Sequence, residues 1–312
     1  MALEPAEMTV MVGAGTTLTE LAGELAVHGL EVGMDGPQGS TVGGALAVGR
    51  SALRRRRVGQ IADVLLQADC VGADGVAFTA GGPTVKNVTG YDLSKLMCGS
   101  FGTLAVLTEL VIKVLPAAET ERTVVVTGLD DAEAIALLIL ASRSPHNVSG
   151  LAHLPRGVRV PQGLSAASGS GDSITLIRVE GPAPSVDHRA PEIAGLTKRQ
   201  TVSLEAEAST SVWSALREVE PLAIDPGERL WRVSGPPTVS ATCRAALSKA
   251  ASSPEQPRAF FDWGGGLLWC VLPASVAASA VHRVAQDAGG HARLVRSAGA
   301  PQGVDGDDAV DQ

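Results

Sequence analysis

Two glycine-rich stretches in the first third of the chain, each leading towards an apolar segment, constrain its fold more than any other feature. Residues 33–49 read GMDGPQGSTVGGALAVG, and residues 98–107 read CGSFGTLAVL after the cluster KNVTGYDL at 86–93. Small residues let a backbone approach a bulky planar or pyrophosphate group closely, and Ser40 and Thr41 add hydroxyls that suit anionic oxygens. Two such turns running into strands can clamp one ligand. A flexible surface loop is the plain alternative for the same composition.

The elements around these stretches are readable. MTVMV at 8–12 predicts a strand, followed by the turn Gly13-Ala14-Gly15. Thr17 with Glu20 forms a capping-box pattern, and Leu18, Leu21, Ala22 and Leu25 give a helical apolar stripe ending near His28-Gly29. ADVLLQADCVGADG and VAFTAGG predict two strands joined by an Asp74-Gly75 turn, and 103–115 is a β-branched stretch closed by Pro116. Beyond Pro116 the rhythm becomes βαββα, twice over, which predicts a split βαβ (ferredoxin-like) lobe with an antiparallel sheet. The expected class is therefore α+β. The expected domains are 1–118 and 119–298, with a boundary near 116–122 and a disordered tail at 299–312.

Composition closes off several classes. A chain of 312 residues, 45% hydrophobic and 19% charged, buries a sizeable core without disulfides or a structural metal. A net charge of −8 and only four Trp, four Phe and one Tyr argue against a nucleic-acid binder. Cys70, Cys98, Cys243 and Cys270 have no metal-ligand spacing, so buried free thiols and no metal site are expected. No apolar run approaches the ~20 residues of a transmembrane helix, and MALEPAEM does not read as a secretory signal. A cytoplasmic chain is expected, or one held at a membrane through a partner. GAGTTL lacks the third glycine of a dinucleotide fingerprint, Leu18 standing in its place, and no P-loop motif is present.

VMVGAGTTLTELAGELAVHGL, GPQGSTVGGALA and GGPTVKNVTGYDLSKLMCGSFGTLAVLTELVIKVLP resemble the FAD-binding domain of the vanillyl-alcohol oxidase / p-cresol methylhydroxylase superfamily. RLWRVSGPPT, WGGGLLW and AGGHARLVR further resemble the family of FAD-binding subunits of bacterial glycolate oxidases, so the likeness runs from Thr9 to Arg296. The resemblance implies FAD as cofactor. It places Asp35, Gly36, Pro37, Ser40, Thr41, Gly43 and Gly44 along the flavin and its phosphates, with Val48 and Ser51 following the same ligand. Gly90, Tyr91 and Asp92 fall in a turn near the flavin, and Gly102, Thr103, Leu104 and Val106 lie at the adenosine end. It also implies a complex with a second, catalytic FAD-containing subunit and an iron–sulfur subunit, acting on a small 2-hydroxy acid such as glycolate. Two rivals are a scaffold subunit without FAD and a stand-alone flavin oxidase of another alcohol or hydroxy acid.

Departures from the superfamily pattern are equally specific. Its pyrophosphate-loop subdomain precedes the strand matching MTVMV, where this chain has only MALEPAE, so half of the cradle is expected to be missing. Phe101 and Ala105 add bulk near the expected ligand path. No catalytic acid/base set is identified. His291 is the best histidine candidate, His153 reads as structural, and Arg232 beside Trp231 reads as a substrate-side or a stacked packing residue. The basic run at 54–57 reads as a solvated loop, with a docking or phosphate patch as the alternative.

Overall fold

A computed structural model describes residues 1–82, 91–164, 172–252 and 255–297. Gly90 and the rest of 83–90, like the expected tail at 299–312, lie outside the described residues. The chain divides into two compact units, Met1–Glu119 and Thr120–Gln312.

The first unit runs β1 (Ala2–Glu4), β2 (Thr9–Gly13), α1 (Leu18–Ala26), β3 (Leu30–Val32), α2 (Val42–Val48), α3 (Arg55–Val58), β4 (Leu65–Gly72), β5 (Ala77–Gly81), α4 (Leu93–Met97) and β6 (Ala105–Pro116). Its sheet has the order β1-β2-β6-β4-β5, with β3 on the far end of β6, and every pairing is antiparallel. The long β6 is the spine. Val10 and Val12 of β2 are fully buried while Met11 between them is exposed, the alternation of a strand covered on one face. Leu21 and Leu25 of α1, Val42 and Leu46 of α2, and Leu110, Ile112 and Val114 of β6 share one core.

Two segments differ from the sequence reading. The turn-rich stretch contains α2, because Val42, Ala45 and Leu46 at helical spacing bury one side of it. Thr41 caps its start, and Gly49, in the left-handed region, closes its end. The basic run is not a solvated loop. It forms the single turn α3, with Arg54 pairing Glu31 at 2.8 Å and Arg57 reaching the same carboxylate at 3.6 Å.

The second unit comprises β7 (Thr120–Thr127), α5 (Asp131–Arg143), β8 (Gly150–Leu154), β9 (Ile174–Gly181), α6 (Ala183–Ala194), β10 (Thr201–Leu204), α7 (Ala206–Arg217), β11 (Glu228–Ser234), α8 (Ser240–Ala250), β12 (Ala259–Asp262), β13 (Leu267–Pro273), α9 (Ala278–Asp287) and β14 (His291–Ser297). One antiparallel sheet has the order β10-β7-β9-β8-β12-β13-β11-β14. Each half repeats the same split βαβ order, and the halves join edge to edge where β12 meets β8 at Phe261 and His153. Ile135, Leu138, Leu151, Ile177, Trp231, Val233, Leu247, Phe261 and Leu268 form the core between sheet and helices. On the sheet's other face, Trp213 of α7 donates its indole N–H to Thr123 Oγ1 at 2.8 Å and seats over Gly150. All eight residues of β9 are buried as a result.

Candidate functional site

The two glycine-rich stretches come together in the first unit. The N–H of Gly99 donates to the carbonyl of Leu46 at 3.0 Å, and that of Phe101 to Ala47 at 2.8 Å, so the second stretch caps the last turn of α2. The approach needs glycine on the helix side: a Cβ on Gly49 would stand 3.0 Å from Gly99 Cα. At the other end of α2, Gly43 N–H donates to Ala14 O, Val42 N–H to Thr16 O and Leu18 N–H to Ser40 O, each at 2.9 Å. The Gly13-Ala14-Gly15 turn, which carries no motif of its own in the sequence, is thereby part of the same frame.

Most polar side chains expected at this site hold its loops. Asp35 Oδ2 accepts the N–H of Leu53 at 2.9 Å, Thr41 Oγ1 accepts that of Gly44 at 3.1 Å, and Ser51 Oγ accepts that of Ile61 at 3.3 Å. Thr103 Oγ1 donates to Ser100 O at 2.6 Å. Asp92 caps α4, accepting from the Ser94 hydroxyl at 2.7 Å and from Lys95 N–H at 3.1 Å. These bonds hold its carboxyl below the usual carboxylate range, the Ser94 hydroxyl first. Ser40 fills the space beside Gly36, Pro37 O accepts Ser40 N–H at 3.0 Å, and Gly43 is buried. Gly44, Tyr91, Gly102, Leu104 and Val106 are exposed. With Tyr91, Leu104 and Val106, the exposed Val48, Leu93, Leu96 and Phe101 make seven large apolar side chains within or beside the two stretches. The arrangement thus offers a ligand small residues, backbone and apolar surface. Cys98, between α4 and the glycine turn, has its thiol pushed up to about 12 by burial and by the charges of Asp92 and Asp63, which removes it as a nucleophile at neutral pH.

The second-unit candidates sort differently. Arg232 stacks over the ring of Trp263 at 5.0 Å, not on Trp231 as the sequence suggests, because alternation along β11 sends Trp231 into the helix-side core against His282. His153 is fully buried, with Nδ1 2.9 Å from Thr175 Oγ1, Nε2 3.4 Å from Asp131 Oδ1, and its ring stacked on Phe261. Asp131 in turn accepts from Arg244 at 2.8 Å, so this is a structural network. His291 opens β14, and partial burial together with the charges of Arg232 and Arg293 pushes its pKa down. Among the described residues no cluster of His, Cys, Asp or Glu could hold a metal ion, and no helix is long and apolar enough to cross a membrane.

Residues 1–81 match the FAD binding domain family. The chain is 30% identical over 293 residues to glycolate oxidase subunit GlcE of Escherichia coli, covering 93% of this chain and 72% of that protein. It is 29% identical to glycolate oxidase subunit GlcD of Bacillus subtilis, spanning 43% of its length, and 39% identical over 105 residues to a D-lactate dehydrogenase of Archaeoglobus fulgidus, spanning 24%. Two solved structures of alkyldihydroxyacetonephosphate synthase superpose with a TM-score of 0.68 at 18% identity, covering 93% of this chain and 61% of theirs, a likeness of fold. The α+β fold is that of the vanillyl-alcohol oxidase / p-cresol methylhydroxylase type, the cofactor is FAD, and the class is oxidoreductase. The extent and length of the match to the E. coli subunit make the conclusion plain: this chain belongs to the family of glycolate oxidase subunit GlcE.

Proposed function

We propose that the chain is the FAD-binding subunit of a glycolate oxidase-type complex that oxidises a small 2-hydroxy acid, glycolate to glyoxylate, and passes the electrons to a partner subunit. The observation that carries this reading is the frame around α2, where two glycine-rich stretches and the Gly13-Ala14-Gly15 turn are held together beside exposed apolar side chains. A Cβ on Gly15, Gly39 or Gly102 would meet nothing within 4 Å, so the chain's own packing does not fill the space in front of these positions. Such a surface fits a flat aromatic group joined to a pyrophosphate.

On this reading the backbone of Asp35, Gly36, Pro37, Ser40, Thr41, Gly43 and Gly44 lies along the flavin and phosphates, followed by Val48 and Ser51. Tyr91 and Asp92 stand near the flavin, and Gly102, Thr103, Leu104 and Val106 line the adenosine end. FAD, when bound, supplies the two-electron acceptor for a carbon-bound hydride. The chain's own residues exclude water with Val48, Phe101, Leu104 and Val106, and fix the loops through Asp35, Thr41, Thr103 and Asp92. Residues 1–118 then form the FAD-binding domain and 119–298 the substrate-side lobe. A second FAD-containing subunit and an iron–sulfur subunit complete the assembly, cytoplasmic or docked at a membrane through the complex.

The test is the absorption spectrum of the purified chain, alone and co-expressed with a GlcD-type subunit, with released flavin identified by chromatography. FAD near one per chain, and glycolate-dependent reduction of an artificial electron acceptor by the complex, are expected. A colourless chain that still joins the complex would replace this reading with the scaffold.

A further inference from the structure

The edge strands of the two sheets are not alike. β1 and β3 are three residues long and carry Glu4 and Glu31. β10 is four residues long, with Lys198 and Arg199 just before it and Glu205 just after. β14 carries His291, Arg293 and Arg296. Shortness and charge keep an edge from pairing with another chain. β5 is longer than β1, β3 and β10 and has no charge: residues 76–82 read VAFTAGG, and among the described residues β5 pairs with β4 alone. Gly72 N–H donates to Val76 O at 3.0 Å and Gly82 N–H to Leu66 O at 3.2 Å, so the even-numbered residues of this strand bond β4. The alternation of an antiparallel ladder then turns the N–H and C=O groups of Ala77, Thr79 and Gly81 outward. The same three residues are exposed, while Phe78 and Ala80 pack towards the core.

We propose that β5 is a pairing edge for a second copy of this chain, the two strands running antiparallel about a twofold axis to join their sheets. Self-complementarity favours a second copy as the occupant. Gly81, at φ +83°, turns the chain at the strand's end, which leaves Ala77 and Thr79 as the outward residues of its regular part. Two such strands set Ala77 of each copy opposite Thr79 of the other and Phe78 opposite itself, so every outward N–H meets an outward C=O. Each chain carries a net charge of −8, and an uncharged edge lets two acidic chains meet without like charges face to face in the ladder. Exposed Val76 precedes the strand, and exposed Leu93 and Leu96 stand on α4, which packs on β5 with Ser94 Cβ 3.2 Å from where a Cβ on Gly81 would be. They give the edge an apolar margin. None of these residues belongs to the set proposed above to hold FAD.

Sedimentation equilibrium of the purified full chain over a dilution series, alone and with a GlcD-type subunit, tests the pairing. A reversible dimer of the chain is expected. Ala77→Lys sets like charges diagonally across the paired strands and should give a monomer with wild-type circular dichroism and melting temperature. Ala77→Pro removes an outward N–H at an edge, where proline is tolerated, and should do the same. If the proline variant folds poorly, Ala77→Lys alone decides. Val202→Lys, at an exposed position of β10, should leave the dimer intact and so separates the place of the charge from its mere addition. A wild-type chain that stays monomeric throughout, or a dimer that survives Ala77→Lys, overturns the pairing. A monomeric chain whose association with the GlcD-type subunit is lost in Ala77→Lys overturns the second copy as occupant and gives the edge to that subunit. Flavin content plays no part in the readout, so the outcome stands whether or not the chain holds FAD.

Discussion

Gly15, in the turn before α1, and Gly43, in the first turn of α2, belong to segments that touch, yet each position is glycine for a different reason. A Cβ on Gly43 would stand 2.7 Å from Ala14 Cβ and 3.0 Å from its carbonyl oxygen, so the fold itself excludes a side chain there. Gly15 has no positive φ, and a Cβ would meet nothing within 4 Å. Gly43→Val is therefore expected to destabilise the protein by about 1–3 kcal/mol or more through overpacking, seen as a lowered melting temperature. Gly15→Val should leave stability within about 0.5 kcal/mol of wild type and lower flavin retention. Full flavin content in Gly15→Val would take that turn off the ligand path. Asp131 is a second position with a sharp expectation. Its burial opposes ionisation, but the His153 hydrogen bond and the Arg244 guanidinium outweigh it and hold the carboxyl below the usual range. A carboxyl whose pKa is lower in the fold contributes stability above its unfolded value of ~3.9, and that contribution is lost as pH falls through the folded value. Asp131→Asn should cost about 1–3 kcal/mol at pH 7 and flatten the fall of melting temperature below pH ~4. Parallel acid limbs in the two proteins would show that the carboxylate contributes nothing.

Elements were legible in the sequence where their signal is local. The capping box Thr17–Glu20 is present as a hydrogen-bonded pair, and α1 starts where that pattern begins; α5 is capped in the same way by Asp130 and Glu133, a pair the structure adds. The α2 helix was hidden because its glycines argue for a turn, while its stability comes from burying Val42, Ala45 and Leu46 against strands elsewhere in the chain. β10 was missed because it is four residues long and pairs only with β7 at the sheet's edge. The seam between the two split βαβ halves was equally silent, since β8 and β12 meet at a single registered pair, His153 and Phe261. Phe261 is fully buried there and stacks on the imidazole at 5.9 Å between ring centres. Phe261→Ala should cost about 3–5 kcal/mol, several times the ~1 kcal/mol of removing the α5 cap with Asp130→Ala. Denaturant titration of the two variants checks the ratio, and equal costs would mean that the seam is not the tighter joint.

At the scale of the molecule, the resemblance carried the fold and FAD because the glycine-rich blocks are contiguous, whereas Arg232, His291 and Arg293 become neighbours only when β14 returns beside β11. Motif spacing cannot report a pairing made by sheet register. The same topology gives two cores with no shared member, one built on β2, β4 and β6 with α1 and α2, the other on the eight-stranded sheet with α5, α6, α8 and α9. Each core is large enough for a domain of its own, so strain introduced into one need not be transmitted to the other. Gly43→Val places its overpacking wholly within the first unit, against Ala14. Hydrogen exchange in this variant should show lost protection across β2, β4 and β6, with β7, β9 and β13 as protected as in wild type, because amides of a core strand open with their own cooperative unit. Equal loss of protection in both sheets would mean that the two units unfold as one.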